Sequence, residues 1–118
     1  MWSSTEELGL YELALRKGTF LDRATIDESA TIKNFPNWRG EKPPFIGWSW
    51  FIDQTPDSLK TIGHTGSQGG FQANYVVIPE KKILFVVLCN APRDLEAATE
   101  QVIRWMKEEQ YFEKAANK

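Results

Sequence analysis

Apolar residues recur at helical spacing near the start of the chain. Leu8, Tyr11 and Leu15 mark a stripe that Leu10, Leu13 and Ala14 widen. Ser4 and Glu7 ahead of it have capping-box spacing, each side chain able to satisfy a free backbone N–H of the other. Lys17-Gly18 closes the helix with a cation at its carbonyl end and a residue that accepts positive φ. A second, shorter helix is expected after Asp22, through Ile26 towards Ala30. Lys33 to Pro44, rich in proline and asparagine, reads as a surface loop.

From Gly47 the period falls to two. Trp48, Trp50 and Ile52 alternate with Ser49, Phe51 and Asp53, which predicts a strand. Gln54 to Ser58 carries turn chemistry. Leu59–Thr65, Phe71–Ile78 and Ile83–Asn90 follow as three more strands. The polar Pro79-Glu80-Lys81-Lys82 joins the last two as an antiparallel hairpin. The final strand is apolar at nearly every position, as a strand covered on both faces should be. Pro92 suits the first turn of a last helix, with Leu95, Ala98, Val102, Trp105 and Met106 on its buried stripe and Phe112 extending it. The expected fold is α+β. It is a single domain over 1–118, with a mainly antiparallel sheet of about four strands, helices before it and a C-terminal helix packed on one face.

Composition narrows the function. With 118 residues the chain makes one small domain, burying roughly two-thirds of its unfolded surface. A net charge of −2 gives no phosphate-binding surface, so nucleic acid is not an expected partner. No apolar run approaches the roughly 20 residues of a membrane span. Met1 to Glu7 holds two glutamates and no basic residue, so no secretory signal is read there and the compartment stays open. One cysteine, Cys89 in an apolar run, excludes an internal disulfide and reads as a small core residue. One histidine and one cysteine make no transition-metal site, and no cofactor is expected. Five tryptophans imply a dense core or an aromatic-lined cleft, and for Trp48 and Trp50 packing against a helix is the plainer reading.

The candidate chemistry lies in His64-Thr65-Gly66-Ser67-Gln68-Gly69-Gly70-Phe71. A histidine can titrate near neutrality without special tuning, and this is the only one. By alternation it shares a strand face with Ile62, while Gly63 and Thr65 point the other way. Gly63 and Gly66 flank it, and glycine in a strand often marks close approach by another backbone or a ligand. The glycines match no dinucleotide or Walker-type phosphate loop, because a strand and not a helix follows them.

In order and content these residues resemble the penicillin-recognising serine hydrolases, the β-lactamase-like proteins. There the third active-site motif is Lys-Thr-Gly or His-x-Gly on a sheet strand. A Gly-Phe turn, a strand, a Pro-containing turn, an apolar strand ending in Asn and a C-terminal helix follow. Here Gly70-Phe71, Val77-Ile78-Pro79, Val86-Val87-Leu88-Cys89-Asn90 and the last helix fall in that order. Trp2 to Leu8 is similar to a Ser-Thr-capped helix of the family, and Gly47-Trp48-Ser49-Trp50 to its Gly-x-x-Trp strand. His-Thr-Gly resembles the class C type and leans towards esterase or peptidase relatives.

The resemblance implies a mechanism and roles. A serine attacks a carbonyl to form an acyl-enzyme, which water hydrolyses. His64 would stand for the motif lysine, and the Ser67 N–H would help form the oxyanion hole. Thr65 would hold the middle of the motif, and Gly66 would let substrate approach. The implied substrate is a small-molecule ester, β-lactam or peptide. Intact relatives are often exported or periplasmic.

The departures weigh as much. None of the six serines has a lysine three places on, and neither Tyr-x-Asn nor Ser-x-Asn occurs. A Ser67–His64 pair has no acidic residue placed by sequence to orient the imidazole. The expectation is therefore the C-terminal segment of a larger β-lactamase-like domain, inactive alone. The alternative is a non-catalytic binding or dimerisation module on the same sheet. An uncovered edge or face would pair with a second copy or with a missing N-terminal half.

Overall fold

The computed structural model describes residues 2–36 and 41–116. Helix α1 spans Thr5–Lys17. Its capping box is fully formed: Ser4 Oγ accepts from the Glu7 N–H at 3.2 Å, and the Glu7 carboxylate accepts from the Ser4 N–H at 3.0 Å. Gly18, at φ 68, ends it by donating to the carbonyls of Ala14 and Leu15. Helix α2, Arg23–Ser29, starts where Asp22 accepts from the Thr25 N–H. That bond holds the Asp22 carboxyl below its ordinary value.

Five strands form one antiparallel sheet in chain order: β1 Phe45–Ile46, β2 Phe51–Gln54, β3 Lys60–Gln68, β4 Phe71–Ile78 and β5 Ile83–Cys89. The sheet thus has one strand more than the hydrophobic pattern shows. The short β1 lies just past the proline-rich loop, pairing Phe45 with Ile52, and its Ile46 carbonyl accepts from Lys33 N–H. The alternation at Trp48 and Trp50 misleads, because those residues form the β1–β2 turn. Gly47 N–H donates to the Trp50 carbonyl at 2.8 Å and Ser49 sits at φ 63. Residues 37–40 of the expected loop lie outside the described residues.

β3 also runs three residues further than expected, so Ser67 and Gln68 belong to the strand. Only Gly69 and Gly70 make the β3–β4 turn, at φ 57 and 85, which a two-residue I′-type hairpin requires of both positions. The β4–β5 hairpin forms as expected, through a 3₁₀ turn at Pro79–Lys81.

Helix α3, Leu95–Glu108, begins after Pro92, at an Asp94 cap that accepts from Ala97 N–H. Ile103 is buried on it with Met106 beside the core, whereas Trp105 is 57% exposed, contrary to the expected stripe. Phe112 is buried too, but on a separate helix, α4 Tyr111–Ala116.

Neighbouring residues of β4 show how the layers stack. Asn74 donates to Thr99 of α3, while Tyr75 donates to Glu12 of α1. Successive strand residues face opposite sides, so α1 and α3 cover opposite faces of the sheet. The α3 side holds the core of Ile78, Ile83, Ile103 and Phe112. α1 packs on one face of β5 and Ile83 joins the core on the other, but the rest of the strand is only partly covered and Leu88 is exposed, so its unbroken apolar run does not mark a strand buried on both faces.

Among the described residues the tryptophans do not make a dense core. Trp2, Trp48 and Trp105 are 85, 55 and 57% exposed. Trp48 carries the Lys33 ammonium 5.2 Å above its ring, and Trp50 donates to Ser29 Oγ at the end of α2.

Candidate functional site

The candidate residues His64, Thr65, Gly66 and Ser67 are consecutive on β3, and sheet geometry decides what each presents. The closing pair of a two-residue hairpin, Gln68 and Phe71, exchanges backbone hydrogen bonds. By alternation Gly66–Ala73 and His64–Tyr75 do the same. Thr65 and Ser67 therefore direct their N–H and C=O groups away from β4. β2 pairs with β3 only over Lys60–Gly63. Among the described residues no strand meets the outward groups of Thr65 and Ser67.

His64 leans over this open edge. Its ring is exposed, 5.5 Å from the Phe51 ring, and Nδ1 lies 2.6 Å from the Thr65 carbonyl oxygen. A carbonyl only accepts, so Nδ1 carries the proton and donates. In the neutral ring Nε2 is then an available base. Among the described residues no carboxylate orients the imidazole; the backbone of its own strand does so.

Ser67 and His64 do not form a dyad. Ser67 shares a face with Thr65, and His64 lies on the other with Tyr75. Ser67 can reach the cleft through its backbone N–H, whereas its hydroxyl is on the wrong side for the imidazole.

The two flanking glycines differ in kind. A Cβ on Gly63 would stand 2.5 Å from the Tyr75 carbonyl oxygen, so glycine is required there by the neighbouring strand. A Cβ on Gly66 would meet only Ala73 Cβ, at 3.8 Å. Packing leaves Gly66 open.

Grooves lie on both sides of the edge, and His64 and Thr65 line both. On the α1 side a groove of about 1220 Å³ is walled by Trp2, Tyr11, Trp50, Phe71, Tyr75 and Leu88, with His64 to Gly69 on its rim. On the α3 side one of about 940 Å³ is bordered by Phe51, Gly63, Asn74, Thr99 and Arg104. The aromatic cleft is real, though Trp2 and Trp50 build it together and Trp48 takes no part.

The sequence reading missed Tyr75 and Glu12. Tyr75 is the direct cross-strand partner of His64, and its buried phenol donates to Glu12 Oε2. Arg16 Nε donates to the other Glu12 oxygen at 3.0 Å. Burial first, and the Glu12 carboxylate second, push the Tyr75 phenol far above its ordinary value. The available signal was position: Glu12 falls between Leu8 and Leu15 on the inner stripe of α1. Among the described residues no three His, Cys, Asp or Glu side chains group as metal ligands, and no helix is long and apolar enough to cross a membrane.

The structure thus places an exposed histidine on a Thr-Gly strand edge, at the mouth of a groove. The Beta-lactamase family model matches residues 1–106. The chain belongs to the β-lactamase family. The match takes in every element from α1 through β5 and most of α3. No curated protein and no solved structure matches the chain. Membership makes this chain serine-hydrolase-like, and small molecules are the substrates the family suggests.

Proposed function

We propose that these 118 residues are the C-terminal segment of a larger β-lactamase-like domain of the class C type, and that they supply the third-motif wall of an acyl-transfer cleft. One observation carries this reading. The outward N–H groups of Thr65 and Ser67 and the exposed imidazole of His64 share one open strand edge, in a family chain without Ser-x-x-Lys.

In the complete cleft the serine hydroxyl, supplied from outside these residues, adds to the carbonyl of an ester, β-lactam or peptide. The Ser67 N–H donates to the oxygen that becomes negative, a contribution worth ~3 kcal/mol of barrier. The leaving group departs to give the acyl-enzyme. Water then adds to the same carbonyl and releases the acid and the free serine. His64, its proton held on Nδ1 by Thr65, accepts or returns a proton at Nε2, or orients the substrate. Gly66 leaves the backbone open to it. No metal or organic cofactor enters any step.

Without the nucleophile the segment alone does not turn over. The test is hydrolysis of a chromogenic β-lactam and a p-nitrophenyl ester by the purified chain. Rates should equal the buffer blank. Turnover that His64→Ala abolishes would contradict the reading.

A further inference from the structure

The outer face of α1 is unlike that of a solvent-facing helix. Glu6, Leu10, Leu13 and Lys17 follow one another at i, i+4, i+7 and i+11, and at 3.6 residues per turn they form one straight stripe. That stripe lies opposite the inward Leu8, Glu12 and Leu15. All four residues are exposed, Leu10 by 60% and Leu13 by 53%, and exposed Phe20 and Leu21 continue the apolar surface past the C-cap. Among the described residues neither Glu6 nor Lys17 takes part in an ion pair. The helix dipole favours an acid at one end and a base at the other. It gives no reason for two leucines in water between them.

We propose that this stripe is a self-association surface, on which α1 packs antiparallel against α1 of a second copy of the chain. A two-fold axis between Leu10 and Leu13 sets Leu10 against the second copy's Leu13, and Glu6 against its Lys17. Each contact occurs twice, as an isologous interface requires, and the assembly closes at two. A parallel pairing would set acid on acid and base on base, so the charges select the antiparallel arrangement. The proposal does not depend on how the β3 edge is used. It places the contact on a helix and not on the uncovered edge or face of the sheet that the departures from the family pattern lead one to expect.

Sedimentation velocity from about 10 µM to about 1 mM at low salt tests the surface directly. The wild-type chain should convert from monomer to dimer with concentration. Glu6→Lys and Lys17→Glu should each weaken dimerisation by about tenfold or more, because each creates two like-charge contacts. An equimolar mixture of the two variants should regain the wild-type affinity, since every contact is then acid on base. Far-UV circular dichroism checks that α1 is intact in both. A wild-type monomer across the whole range would overturn the proposal. So would folded variants that dimerise as well as wild type, the result expected of strand-edge pairing, or a folded mixture that fails to recover.

Discussion

The imidazole Nδ1 of His64 lies 2.6 Å from the carbonyl oxygen of Thr65, the next residue along the same strand. Adjacent residues of a strand point to opposite faces, so this contact forms only because the ring folds over the open edge of β3. It fixes the tautomer, with the proton on Nδ1.

Nitrogen-15 chemical shifts of the neutral ring report that tautomer. We expect the Nδ1–H form in the folded chain. A predominant Nε2–H form would show that the bond to Thr65 is not made in solution.

Amide exchange reads the edge itself. Thr65 and Ser67 N–H groups should exchange much faster than those of His64, Gly66 and Gln68, which bond to β4. Uniform protection along His64–Gln68 would mean that another strand covers the edge.

The glycines give a paired stability test. Gly63→Ala should cost about 1–3 kcal/mol, because a Cβ there collides with the Tyr75 carbonyl. Gly66→Ala should stay within about 0.5 kcal/mol of wild type. Denaturant midpoints at constant m-value decide it. Equal costs would remove the distinction between a packing glycine and an open one.

Tyr75 links stability to alkaline pH. Its folded-state value is raised, so the folded chain holds the phenol proton more tightly than the unfolded chain does. The resulting stability is complete below the ordinary tyrosine value of about 10. It declines above that pH as the unfolded state, and not the native one, loses the proton. Absorbance near 295 nm should show the Tyr75 phenolate appearing only with unfolding, and Tyr75→Phe should remove that step. The same substitution should cost about 1–3 kcal/mol at neutral pH, because the buried Glu12 carboxylate loses a donor. Phenolate formation at Tyr75 before unfolding would contradict the burial of the pair.

What the sequence revealed follows from how local each determinant is. The Ser4–Glu7 box, the Gly18 stop and the Pro79 hairpin depend on residues within a few positions of one another, and all three are formed. The face assignment of His64 needed only the two-residue strand period. The β1–β2 turn was hidden because aromatic alternation at Trp48 and Trp50 imitates a strand, and Ser49 carries no glycine-like signal for its positive φ. The expected strand stops at Thr65, short of Ser67, because the glycines at 63, 66, 69 and 70 blur where β3 ends. The Tyr75–Glu12 bond spans 63 residues, so only the packing of α1 on the sheet reveals it.

The proposal that no serine of this chain is a competent nucleophile is tested most directly by covalent labelling. Purified chain treated with an acylating fluorophosphonate and weighed intact should show no adduct on any of its six serines. An adduct on Ser67, or on any other serine, would show that the attacking hydroxyl is already present and would contradict the central claim.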